Sequence, residues 1–174
     1  MMKISSLSPL LSALFFALFL AACTNDPAEE PTPPPMPDPE ATPPETLPTI
    51  WTGEIVSFEK ESGADPTLEE NQDRITDQVW ITRGNDGGQM FNAVTESASI
   101  KASSPAGTLW AKGTTDNLAD LTFEPFRAAV GNPQQVVGED LVLLLEEENI
   151  AIDLKITSWA QNQQGGFAYE RSSK

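Results

Sequence analysis

The ten residues from Ile150 to Trp159 constrain the fold more than any other stretch. Ile150, Ile152, Leu154 and Ile156 alternate with Ala151, Asp153, Lys155 and Thr157, the period of two expected of a strand with one buried face. A helix would scatter those four side chains around its circumference. Upstream, Leu141 to Leu145 is apolar at every position, as a strand covered on both faces would be, and Glu146, Glu147, Glu148 and Asn149 form the connection. Two such strands need further strands and a second layer to be stable.

The flanking sequence supplies them. Trp51 to Lys60 is β-rich, with Val56 and Phe58 on one side and Ile55 on the other. Val79 to Arg83 and Gln89 to Thr95 read as a hairpin across Gly84, Asn85, Asp86, Gly87 and Gly88, residues that tolerate positive φ. A strand is expected around Ile100, another over Leu109 to Ala111 after the turn Ser103 to Gly107, and a last one over Phe167 to Tyr169. Helical signals are short. Asp65 before Pro66, or Thr67 with Glu70, starts one or two turns, but a longer helix would stack Glu69, Asp73 and Asp77 at repelling spacing. Asp116 to Leu121 suits another turn, and Pro125 interrupts any longer helix. Seven to nine strands in roughly 125 residues, an ordinary domain size, predict an all-β antiparallel β-sandwich, jelly-roll-like, with one or two short helical turns. A barrel is the alternative.

The N-terminal portion is built differently. Lys3 precedes the apolar run Leu10 to Leu20, and small residues follow, the three-part layout of a secretory signal. The run to Ala22 has about 13 residues, fewer than the roughly 20 of a spanning helix. Leu20, Ala21, Ala22 and Cys23 resemble the lipobox of bacterial lipoproteins. The resemblance implies cleavage before Cys23, a diacylglycerol on its thiol and usually an acyl group on its amine. Two or three acyl chains anchor far more firmly than one. Thr24 in place of the aspartate linked to inner-membrane retention implies the outer membrane in a Gram-negative cell. From Thr24 to Thr49 there are ten prolines, six acidic residues and no basic one. Such a segment cannot offset its ordering entropy and favours extended polyproline II, reaching on the order of 80 Å. It is expected to act as a spacer, or to dock a proline-binding module. The expected organisation is thus a signal peptide over 1–22, lipidated Cys23 with a disordered tether over 23–49, and a β-sandwich over 50–174.

Composition narrows the chemistry. The net charge is -16, about -11 of it in the domain, which opposes nucleic acid and anionic membrane surfaces. The chain has no histidine and one cysteine, so imidazole catalysis, His-ligated zinc and an internal disulfide are unavailable to it.

Four tryptophans, Trp51, Trp80, Trp110 and Trp159, fall in expected strands, where large aromatics build cores or stack on sugars. Strict alternation puts Trp159 with Asp153 and Lys155, away from the isoleucines, as a candidate ligand face; a bulge near Ser158 would return it to the core. Asp65, Glu69, Glu70 and Asp73, with Asp77, are candidate calcium ligands, although they lack the EF-hand spacing and a solvated acidic loop is their ordinary explanation. A glycosidase needs only two placed carboxyl groups, but about 20 carboxylates make such a pair uninformative. Arg74, Arg83, Arg127 and Arg171 are expected as ion-pair partners of the acidic surface.

Several segments also resemble a β-rich domain that recurs in secreted bacterial proteins. They are Asn71 to Thr76, Val79 to Arg83, Ser104 to Trp110, Thr157 to Trp159 and Gly165 to Ser172. The resemblance implies a self-contained extracytoplasmic module and transfers no activity. The expected function is a lipid-anchored, non-enzymatic β-sandwich that binds a glycan or an envelope protein. A structural envelope lipoprotein without a small ligand and a carboxylate-pair glycosidase are the alternatives, and no cofactor other than calcium is implied.

Overall fold

The computed structural model describes residues Thr46–Lys174. The expected export segment, the lipobox-like Leu20 to Cys23 and the expected tether as far as Glu45 lie outside them. Nine strands follow in order: β1 (Thr49–Trp51), β2 (Ile55–Lys60), β3 (Asp73–Arg74), β4 (Trp80–Arg83), β5 (Met90–Asn92), β6 (Thr108–Lys112), β7 (Asp140–Leu145), β8 (Ile150–Trp159) and β9 (Phe167–Ser172). One α-helix, α1 (Phe126–Val130), and three 3-10 turns complete the described elements. None of the described helices is long and apolar enough to cross a membrane.

The strands form two open sheets, a sandwich and not a barrel. The larger has the order β2-β9-β8-β7-β6, with β1 added beside β8, and the smaller is β3-β4-β5. Consecutive strands from β6 to β9 are neighbours in an antiparallel meander, while β1 runs parallel to β8 along Ile150 to Ile152. Strand β1 begins at Thr49, inside the span expected as tether, and Asn149 donates to the Thr46 carbonyl at 3.0 Å, so ordered contacts begin a few residues before Ile50.

The alternation of β8 works as expected. Ile152, Leu154 and Ile156 are buried in one core with Leu141, Leu143 and Leu145 of β7 and with Ile81 and Met90 of the smaller sheet. Val142, on the other face of β7, is also fully buried, consistent with a strand apolar on both sides. Trp110 is fully buried and packs edge-on against Phe126 at 5.0 Å.

Two local expectations are corrected. The strand expected around Ile100 is absent: Ala93 to Gly107 is a loop, with Ile100 62% exposed. Its path is held by polar contacts, since Glu96 accepts from the backbone N–H groups of Asn92 and Ala106 at 2.8 Å each. Pro125 also precedes α1 instead of ending a helix, because its fixed φ and missing N–H suit a helix start.

A buried ionic cluster joins the sheets. Asp73 of β3 accepts from the Tyr169 hydroxyl at 2.6 Å and from Arg171 Nε and Nη2 at 2.7 and 2.9 Å, both residues lying on β9. Burial first, then the Asp73 charge and hydrogen bond, push the Tyr169 phenol well above its ordinary pKa. In the unfolded chain that phenol ionises near pH ~10, whereas the folded chain keeps the proton, so stability falls as pH rises past that point. Burial lowers the pKa of Lys60 and brings that of Arg83 to about 10; both act in the opposite direction, but equally in a Tyr169→Phe variant. That variant should therefore lose stability less steeply above pH ~10. Because Tyr169 is the only tyrosine, phenolate absorbance should appear in the wild type only as the domain unfolds.

Candidate functional site

The ligand face expected from Trp159, Asp153 and Lys155 does not form. The pairing of β8 with β9 slips between Ile156 and Ser158, and this bulge turns Trp159 back toward the core side. Its ring stacks on Phe126 at 5.8 Å, meets Phe167 edge-on at 6.2 Å, and carries the Arg83 guanidinium 4.1 Å from its centroid. Trp159 is a packing residue in a row of aromatics, not an open platform. Trp159→Ala should cost about 3 kcal/mol of stability, read by urea unfolding. Asp153 instead accepts from the Thr115 N–H and hydroxyl at 2.8 and 2.7 Å. Lys155 pairs with Asp140 at 2.8 Å, a contact that raises its pKa. Both line a shallow groove of about 190 Å³ on the outer sheet face.

The acidic stretch proposed for calcium is likewise spread among other partners. Asp65 accepts from the Thr67 N–H and hydroxyl, which hold its carboxyl below the usual value. Glu69 pairs with Arg74, Glu70 is exposed, and Asp73 belongs to the buried cluster. Among the described residues no three acidic groups come together in a geometry that could hold a metal ion.

The basic residues lead to a different place. Of the nine described Lys and Arg side chains, four form ion pairs: Arg74, Lys112, Lys155 and Arg171. Two are buried on uncharged oxygens, correcting the expectation of surface ion pairing for Arg83. Lys60, 1% exposed, donates to Asn85 Oδ1 at 2.9 Å and to the Gly165 carbonyl at 3.3 Å. Arg83 donates to the carbonyls of Gly88, Ala160 and Gly166 at 3.3, 3.0 and 2.9 Å. Burial lowers the Arg83 pKa to about 10. These cations fasten the 84–88 turn to the 161–166 loop. The loop approaches so closely that a Cβ at Gly165, φ +69°, would overlap Asn85 and the Gly84 carbonyl.

Of the remaining cations, Lys101 and Arg127 line a single cleft of about 650 Å³. Its walls are Asp86, Gly88 and Gln89 from the β4–β5 turn, Ser99 and Lys101 from the following loop, and Arg127 from α1. Neither cation has a carboxylate partner among the described residues, so the ion-pair role expected of Arg127 is also corrected. Gln89, 4% exposed, donates its side-chain amide to the carbonyls of Ile100 and Ser103 and so holds the loop as a wall. Its Oε1 is buried without a hydrogen-bond partner. Loop and turn are in close contact, since a Cβ at Gly88, φ +90°, would overlap the Ser99 hydroxyl. Comparison with known protein families, curated proteins and solved structures finds no match to this chain. The site therefore stands on its geometry alone. Sequence reading passed over it because Lys101 and Arg127 are 26 positions apart and neither lies in a motif.

Proposed function

We propose that this chain is a lipid-anchored envelope protein whose proline-rich tether holds a non-enzymatic β-sandwich binding module away from a membrane. The N-terminal half of this reading rests on Leu20 to Cys23 following a short apolar run, and on Thr24, which favours the outer membrane of a two-membrane cell. The observation that carries the binding half is the cleft of Lys101 and Arg127. Two cations without ion-pair partners among the described residues, in a domain of about -11, line one cavity of the size that takes small ligands. Asp86 is its only acidic lining residue, where glycosidic hydrolysis calls for two. That composition suits recognition better than hydrolysis, for a glycan or for an anionic group on a protein partner.

Extraction of bacterial membranes tests the display reading. Acyl chains resist displacement of charge, whereas a peripherally bound acidic protein does not. The protein should stay with membranes through washes in high salt and in alkaline carbonate, and leave them in detergent. Release by salt or carbonate would refute the anchor.

A further inference from the structure

The cleft's donors and acceptors specify more than an anion, and the inference drawn from them rests on the binding reading above. The geometry points to a saccharide residue carrying one carboxylate as the ligand: the carboxylate meets Lys101 and Arg127, and sugar hydroxyls meet the Ser99 hydroxyl and the glycine backbone of the wall.

Three observations carry the choice. First, Lys101 and Arg127 are the two cations that share a cavity without ion-pair partners among the described residues, and a guanidinium fork with an ammonium is the usual set for one carboxylate. Second, the neutral part of the wall can hydrogen-bond, since it presents the Ser99 hydroxyl and the backbone of Gly87 and Gly88. A ligand that brings both a carboxylate and a neutral donor satisfies both features. Third, the lining lacks large apolar side chains; Ala98 and Ala102 are its apolar members. An acidic peptide docks through pockets for its side chains, which this wall does not offer. A sugar presents hydroxyls on all sides, which Ser99, Asp86 and the glycine backbone can meet. The acidity of the domain limits the ligand further. A densely charged polymer would be repelled by a net charge of about -11, so single carboxylates spaced by neutral groups fit best.

The same chemistry occurs in uronic-acid polysaccharides and in wall glycans built on N-acetylmuramic acid, and the experiment separates these sources. Full-length protein in detergent is titrated calorimetrically with glucuronic acid and N-acetylmuramic acid, with glucose and N-acetylglucosamine as their neutral counterparts, and with a short glutamate-rich peptide. At least one acidic sugar should bind about tenfold or more tightly than its neutral counterpart, the scale of a charge-assisted contact. Which acid binds identifies the source. Arg127→Ala and Lys101→Ala, both at exposed positions, should each weaken the acidic sugar about tenfold and leave Trp159→Ala-like unfolding losses absent. Equal binding of acidic and neutral sugars, binding of the peptide alone, no binding to either acid, or indifference to both substitutions would each overturn the assignment. The membrane extraction is read separately. A failure here with the anchor intact overturns the ligand only, and release by carbonate with sugar binding intact overturns the display reading only.

Discussion

Asp73→Ala should cost about 3–5 kcal/mol, the scale of breaking a buried ion pair by removing one partner. Asp73, Tyr169 and Arg171 are all buried, and Asp73 accepts from both of its partners. Without it, Arg171 keeps one carbonyl contact, to Ser172 at 3.2 Å, and the Tyr169 hydroxyl loses the acceptor recorded for it. The cluster also ties β3 of the smaller sheet to β9 of the larger, so the loss falls on the contact between layers. For a domain whose total stability is about 5–15 kcal/mol, this is a drop in Tm on the order of 10–20 °C. Lys112→Ala, which breaks an exposed pair with Glu139, should change stability by less than about 1 kcal/mol. Urea unfolding of the two variants in parallel separates a buried cluster from a surface one. A loss below about 1 kcal/mol for Asp73→Ala would contradict the geometry.

Cys23→Ser should have the largest effect on the protein's behaviour. On the proposed anchor, a serine hydroxyl cannot form the thioether that would carry the diacylglycerol, and the chain has no second cysteine to replace it. The net charge of about -11 on the domain opposes a substitute attachment to anionic lipid. Acyl incorporation should therefore fall to background, and any chain freed of its export segment should appear in the soluble fraction. A cut Cys23→Ser chain that remained membrane-bound would contradict the account.

The parts of the fold that were readable in advance are those governed by local pattern. The alternation of Ile150 to Ile156 and the unbroken apolar run of Leu141 to Leu145 describe side-chain environments that recur every second residue, and both strands lie where those patterns place them. The hairpin across Gly84 to Gly88 was readable because its turn residues are chemically distinctive. Tertiary choices were not. A bulge near Ser158 was one of the two courses open to Trp159, and the choice between them is made by the register with β9, not by the residues of β8 alone. Asp73 and Arg171 are 98 positions apart, so an acidic residue in a run of acids and a basic residue near the C-terminus looked like surface charges. Ile100 carried β propensity, but its own carbonyl accepts from the Gln89 amide and the Ser103 N–H in a turn, and so joins no ladder. The cleft is the extreme case, since its walls come from a turn, a loop and a helix that share no sequence signal.

Mass spectrometry of the N-terminal peptide of the mature protein, purified from membranes, tests most directly whether this domain is displayed on a lipid anchor. The account predicts a peptide that begins at Cys23, with a diacylglycerol on the thiol and an acyl group on the amine. A mature N-terminus at any other residue, or an unmodified Cys23 in membrane-bound protein, would contradict it.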